Sequence, residues 1–254
     1  MNYLIVGASS GLGRALAYAL SKKTHNLILI SRDIRDLVAI KSDLENRFKT
    51  KISTYSVDLA SKTSVIAFLD NREIEFSLLD GILFPIGMMS DNDFITGLNS
   101  KAEQIVNANF LSIVKFTEKI IPIFKKKNNG LIVGFGSIAS SLGRRKNILY
   151  SASKRALNSY FESLIASFEN SHINIQFYIL GYLDTNLAFD EKLSLPKAST
   201  KQLALEVVKN MKKNNIKKYY PLWWGLISYF ISLIPFLYRL NFLRLYFISF
   251  NKVI

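Results

Sequence analysis

The chain reads as an α/β protein: one doubly wound parallel sheet of about seven strands with helices on both faces, followed by an apolar C-terminal helical tail. Two observations predict this. Short apolar runs of strand length alternate with longer segments of helical periodicity between residues 2 and 222. No internal repeat, low-complexity tract or linker interrupts that alternation. The expected organisation is one domain over 1–222 and a separate aromatic segment over 223–254. With 254 residues the chain is long enough to bury a substantial core.

Asn2–Val6 is an apolar run ending at Gly7 and is read as the first strand. Nothing ahead of it resembles a leader, so a cytoplasmic protein is expected. Gly7-Ala8-Ser9-Ser10-Gly11-Leu12-Gly13 follows and leads into Arg14–Leu20, which has helical spacing. Strand, glycine-rich turn and helix in that order make a phosphate site. The glycines let backbone N–H groups approach a pyrophosphate, and the helix N-terminus favours its charge. Gly7, Ser9, Ser10, Gly11, Leu12 and Gly13 are the candidate contacts; a tight turn without ligand is the plainer alternative. Leu27–Ile30 completes a right-handed β-α-β unit of the Rossmann type, with Ser31-Arg32-Asp33 at its end. A neutral Ser31 followed by the cation Arg32 suits the 2′-phosphate of NADP(H), whereas an acid here suits NAD(H). Asp33 weakens that preference if it is the ribose acid displaced by two positions; the favoured reading makes it the N-cap of a helix over Ile34 to about Phe48.

Ile52–Val57 alternates as a third strand and ends at Asp58-Leu59. An acid there either meets an adenine amino group or caps the helix that starts near Ser61. Gly81–Ile86 is the fourth strand, with Gly87 and a polar loop to Ser100 behind it. A long amphipathic helix over about 101–126 carries Asn107 and Asn109, and Pro122 is expected to kink or end it. Leu131–Phe135 is a buried-type strand with Ser137 just beyond it, at the sheet edge where open parallel sheets bind ligands. A helix over about 148–169, a strand Ile173–Leu180 ending at Gly181, a loop Leu187–Ser199, a helix Thr200–Lys213 and a last strand Tyr219–Leu222 complete the order.

The chemistry centres on Tyr150 and Lys154, four residues apart and hence on one helix face. A lysine ammonium beside a phenol favours the phenolate, making a proton donor and acceptor usable near neutral pH, and a nearby Ser137 hydroxyl can polarise a carbonyl. Taken alone the spacing is also that of an ordinary solvated helix face. The chain has no cysteine, which excludes disulfides and thiolate metal sites. Its two histidines, His25 and His172, lie far apart outside any metal-ligand spacing and read as surface or loop residues. The net charge of +14 is spread through scattered lysines, with no recognition-helix pattern for nucleic acid.

With these motifs in order, residues 2–222 resemble the short-chain dehydrogenase/reductase family. The resemblance rests on Gly7-x3-Gly11-x-Gly13, Asn109, Ser137 and Tyr150-x3-Lys154. It implies an NADP(H)-dependent oxidoreductase that interconverts a carbonyl and a secondary alcohol by hydride transfer. The roles it implies are general acid/base for Tyr150, pKa lowering and nicotinamide-ribose binding for Lys154, substrate orientation for Ser137 and a water-mediated proton relay for Asn109. It also implies nicotinamide contacts from Gly181, Leu183 and Thr185, adenine contacts from Asp58 and Leu59, a ribose-side contact from Gly87, and a homodimer or homotetramer. The chain departs from the family at Phe84-Pro85-Ile86-Gly87, where Asn-Asn-Ala-Gly is common, at Val6 and at Leu180. Alternatives are a membrane-associated nucleotide-binding scaffold without turnover, a related sugar epimerase or dehydratase, and a soluble reductase of a sugar or other polar small molecule.

The segment from Tyr219 to Tyr238 carries no charge and includes Trp223 and Trp224, with Arg239, Arg244 and Lys252 beyond it. Pro221, Gly225 and Pro235 interrupt it, which argues against a span. An interfacial segment, with aromatic groups at headgroup level and cations beside anionic lipid, is the leading expectation; packing on the domain or on a second copy is the other. The interfacial reading makes the protein peripheral on the inner face of the membrane and its substrate apolar or lipid-linked.

Overall fold

The computed structural model describes residues 1–23, 26–70, 73–90, 93, 101–141, 147–185 and 197–233. His25, most of the polar loop before residue 101, residues 186–196 of the expected loop and the tail from residue 234, with Arg239, Arg244 and Lys252, lie outside the described residues.

Among the described residues seven strands form one sheet: β1 (Asn2–Val6), β2 (Asn26–Ser31), β3 (Ile52–Ser56), β4 (Gly81–Phe84), β5 (Gly130–Ser137), β6 (Ile173–Leu180) and β7 (Ile216–Tyr220). Their order is β3-β2-β1-β4-β5-β6-β7 and every pairing is parallel. The helices are α1 (Gly11–Ser21), α2 (Ile34–Arg47), α3 (Lys62–Asp70), α4 (Glu73–Ser77), α5 (Lys101–Val106), α6 (Ser112–Lys127), α7 (Ile148–Ser167), α8 (Thr200–Asn210) and α9 (Trp223–Leu233). The doubly wound architecture expected from the alternation is present.

Strand side chains alternate between two cores. Leu4 and Val6 face a layer containing Phe116, Ile120, Leu157 and Phe161, while Tyr3 and Ile5 face Leu16, Leu20, Leu203 and Val207. A sheet covered on both faces has to be apolar at both parities, which is why the central strands read as continuous apolar runs. The strand order reverses between β1 and β4, so a crevice opens at their carboxyl ends.

Several boundaries differ from expectation. Pro122 does not end its helix: α6 continues to Lys127 with Pro122 inside. Pro122 and Glu118 are both exposed, so water can take the Glu118 carbonyl that the missing N–H leaves. The helix stops instead at Asn128, in the left-handed region at φ 50°, with the Asn129 N–H donating to the Phe124 carbonyl. A π-helical turn over Asn107–Leu111 divides the expected long helix earlier in the chain. Strand β4 ends before Pro85, and β7 begins at Ile216 and ends before Pro221, because proline cannot donate to a ladder. Lys217 and Lys218 disguised the start of β7; they pair with Glu162 and Glu206 on an edge strand, where lysine blunts edge-to-edge association. Helix α8 ends at Asn210, short of Lys213.

Candidate active site

The loop after β1 is built by its glycines. Gly7 and Gly11 lie at φ 95° and 49°, where a Cβ is strained. At Gly13 a Cβ would sit 1.9 Å from the Gly7 carbonyl oxygen, so only glycine lets α1 begin against the end of β1. Ser10 is the N-cap yet makes no side-chain cap bond, and the first turn of α1 contains no acid. The N-terminal N–H groups of α1 therefore have no intrahelical partner and face no competing carboxylate. These residues fit a pyrophosphate. Ser9, Ser10, Gly11 and Leu12 line one wall of a cavity of about 330 Å³.

The opposite wall carries the candidate chemistry. Ser137, Tyr150 and Lys154 all line the same cavity, brought there from β5 and α7. Lys154 is 2% exposed, and its Nζ donates to the carbonyls of Ile86 at 2.7 Å and Phe135 at 3.0 Å. Burial away from water pulls its pKa down to about 7. Two of the three ammonium N–H groups are used by these carbonyls, so one is left to serve a ligand hydroxyl. Ser137 Oγ accepts from the Ala139 N–H at 3.1 Å, the start of a short 3₁₀ turn over Ile138–Ser140, which leaves the hydroxyl proton to donate elsewhere.

Asn109 does not line the cavity; it stands behind it, fully buried in the π-helical turn. Its side-chain oxygen accepts from the Met88 N–H at 2.7 Å, and its Nδ2 donates to the Met88 carbonyl at 2.8 Å and to Ser153 Oγ at 3.2 Å. Asn107 points to a different place, with Nδ2 donating to the Ala60 carbonyl at 3.2 Å. Gly87, Gly181, Leu183 and Thr185 line the cavity. The Thr185 methyl lies 3.1 Å from where a Gly11 Cβ would be, facing the glycine loop across the crevice.

Gly13, Ser31, Arg32, Asp58 and Leu59 lie outside the cavity lining, toward β2 and β3. Ser31 is buried and its hydroxyl donates to the Asp33 carbonyl at 3.2 Å, whereas Arg32 is exposed. Asp33 caps α2 as expected: its carboxylate accepts from the Arg35 backbone N–H at 2.9 Å and from the Arg35 guanidinium at 2.7 Å. Those hydrogen bonds hold its pKa down at about 2. Asp58 does not cap α3. Ser61 Oγ does so by accepting from the Ser64 N–H at 3.3 Å, while Asp58 Oδ1 accepts from the Ala60 N–H at 3.0 Å.

Sequence reasoning missed the apolar lining from Met89, Ile138, Leu180 and Tyr182, and the carbonyls that grip Lys154. A hydrogen-bonding carbonyl carries no side-chain signal, so only the fold could reveal Ile86 and Phe135 in that role. It also missed Asp93, whose carboxylate caps α7.

A family model described as short chain dehydrogenase matches residues 2–194. An NADP-dependent 3-hydroxy acid dehydrogenase of Schizosaccharomyces pombe is 27% identical over 187 residues, covering 73% of this chain and 72% of that protein. A hydroxysteroid 11-beta-dehydrogenase 1-like protein of Xenopus laevis is 26% identical over 226 residues, covering 87% of this chain and 77% of its own length. Among solved structures, a short-chain dehydrogenase from Sphingobium yanoikuyae in complex with NADPH superposes with a TM-score of 0.78 at 20% identity, over 92% of this chain and 96% of that one.

Proposed function

This chain belongs to the short-chain dehydrogenase/reductase family, and we propose that, as an oxidoreductase of that family, it uses NADP(H) to interconvert a carbonyl and a secondary alcohol on an apolar substrate. The observation that carries the reading is the convergence of Tyr150, Lys154 and Ser137 on the cavity that the glycine loop closes from the other side. NADP(H), held by the glycine loop and Lys154, would supply or accept the hydride when bound. Ser137 donates a hydrogen bond from its hydroxyl to the substrate oxygen and orients it, keeping its own proton. Tyr150 gives the proton to that oxygen as negative charge develops there, or takes it in the reverse direction. Lys154, desolvated and fixed by the Ile86 and Phe135 carbonyls, offers its remaining N–H to the nicotinamide ribose and, in its protonated form, places a positive charge on the helix face that carries the phenol. Asn109 holds the backbone of Met88 behind this group.

NADP(H) is favoured over NAD(H) because the acid nearest the end of β2, Asp33, is engaged by Arg35 while Arg32 is exposed and has no ion pair among the described residues. An NADP-dependent relative and an NADPH-bound structural neighbour support the same choice.

An apolar substrate is favoured by the lining from Met89, Ile138, Leu180 and Tyr182 and by α9. Trp224 is buried with its indole at the Gly181 position and its ring 5.8 Å from Tyr182, so α9 backs the cavity wall. Leu226, Tyr229, Phe230 and Leu233 are each at least 60% exposed and share one face of α9, with the exposed Leu222 just ahead of it. No helix among the described residues is long and apolar enough to cross a membrane. A face of this kind suits a segment, 223–254 in our reading, lying on the inner surface of the membrane; a homodimer or homotetramer contact is the second use for it.

The test is Tyr150→Phe, assayed by NADPH oxidation against a panel containing a β-ketoacyl thioester, a bulky cyclic ketone and a keto-sugar. Turnover on the preferred ketone is expected to fall by about 100-fold or more, with NADPH affinity unchanged. Undiminished turnover overturns the assignment, and preference for the keto-sugar overturns the apolar substrate.

A further inference from the structure

We propose that Asp93 is a positioning residue for Tyr150: from the connection between β4 and α5, its carboxylate holds the first turn of α7 in the place proton transfer requires. The carboxylate accepts from the backbone N–H of Leu149 at 3.1 Å and from that of Tyr150 at 2.9 Å. Asp93 is 4% exposed, and a carboxylate so buried persists where charge-assisted hydrogen bonds and the positive end of a helix compensate it. The N-cap position of α7 itself does not supply this cap. Asn147 stands there at φ −128° and ψ 59° and its side chain makes no cap bond. The cap is delegated to a residue 57 positions away from Tyr150 in the chain.

The same connection holds the other end of Tyr150. The Tyr150 carbonyl accepts from Ser153 Oγ at 2.8 Å, Ser153 Oγ accepts from Asn109 Nδ2 at 3.2 Å, and Asn109 bonds both backbone groups of Met88. Ile86, two residues earlier, takes the Lys154 ammonium. The segment after β4 thus grips the N–H of Tyr150 through Asp93, its carbonyl through the Asn109–Ser153 relay, and the Lys154 head group directly. Holding both backbone groups of one residue fixes the direction of its Cα–Cβ bond. The phenol hydroxyl, at the far end of the side chain, would amplify any tilt of that turn. Asp93 acts only through the backbone, so it governs where Tyr150 stands and not what it is.

This rests on Tyr150 being the proton-transfer group, and the experiment separates the two. Three variants are compared with wild type and Tyr150→Phe: Asp93→Ala, Asp93→Asn and the double variant Asp93→Ala/Asn147→Asp, which returns a cap to the helix from its own N-cap position. The readouts are amide hydrogen exchange at Leu149 and Tyr150, thermal midpoint, and kcat and KM on the best ketone of the panel above. Asp93→Ala is expected to speed exchange of both amides and to lower kcat by about 10- to 100-fold with KM and NADPH affinity nearly unchanged, the size expected of a misplaced reacting group. Asp93→Asn, which keeps one acceptor oxygen for one of the two N–H groups and sets an amide NH2 against the other, recovers only part of kcat. The double variant recovers the midpoint but not kcat. If kcat returns together with the midpoint, or if Asp93→Ala leaves kcat and exchange at wild-type values, the inference is overturned. If Tyr150→Phe keeps full turnover, the functional reading fails instead, and slow exchange in Asp93→Ala still disproves the hold on the turn.

Discussion

Replacing Lys154 with methionine is expected to remove a rise in stability with pH that the unliganded wild-type protein shows across and above neutrality. The ammonium is 2% exposed and burial brings its pKa from 10.5 to about 7. A difference of about 3.5, from 10.5 minus 7, corresponds to about 5 kcal/mol between charged and neutral forms inside the fold. Because the folded pKa lies below the unfolded one, the folded chain binds fewer protons than the unfolded chain between those two values, and stability climbs with pH across that window. Between about pH 6 and about pH 9 the wild type should gain about 2–3 kcal/mol that Lys154→Met does not. The variant leaves the Ile86 and Phe135 carbonyls without their ammonium donor, which costs about 1–3 kcal/mol for each left unsatisfied. That cost is the same at every pH, so it moves the offset between the proteins and not the slope. Urea unfolding of both proteins without NADPH at about pH 6 and about pH 9 measures the slope. A stability difference that does not change with pH would refute the buried, depressed lysine.

Three other outcomes are expected. Gly13→Ala should lose NADPH binding and destabilise by about 2 kcal/mol or more, since its Cβ would overlap the Gly7 carbonyl, with Gly7 C and Ala8 Cα within 3.0 Å; calorimetry and NADPH fluorescence read both. Arg32→Ala should weaken NADPH by about tenfold while leaving NADH unchanged, equivalent to one charge-assisted contact with the 2′-phosphate; equal loss for both cofactors removes Arg32 from that role. Leu226→Glu/Phe230→Glu should lower flotation with phosphatidylserine vesicles while leaving turnover of a water-soluble ketone intact, and undiminished flotation assigns the exposed α9 face to something other than lipid.

Local chemistry made much of this protein legible. The glycine spacing at 7, 11 and 13 dictates a loop that only one backbone path satisfies, and both the positive φ angles and the packing of Gly13 on Gly7 follow from it. Strand-helix alternation dictates a parallel sheet, because a parallel pair needs a crossover, and Tyr150 and Lys154 share a helix face because the helical repeat says so. Ser137 was legible for the same reason: it ends a strand, and strand ends are where such sheets bind. Asp33 as an N-cap is likewise a matter of one helix turn.

What tertiary structure decided are contacts between segments far apart in the chain, carried by backbone atoms that look alike in every residue. The Ile86 and Phe135 carbonyls around Lys154, the Asp93 carboxylate on the N–H groups of α7, and the Asn109–Ser153 link exist only once β4, β5, the π-helical turn and α7 are assembled. The π-helical turn and the continuation of α6 past Pro122 were not legible either, since solvent excuses a missing hydrogen bond that sequence rules count as a break. Side-chain identity specified which groups this protein uses; the folded backbone determined how firmly each is held and with what proton affinity, because both depend on burial and on partners that no local pattern records.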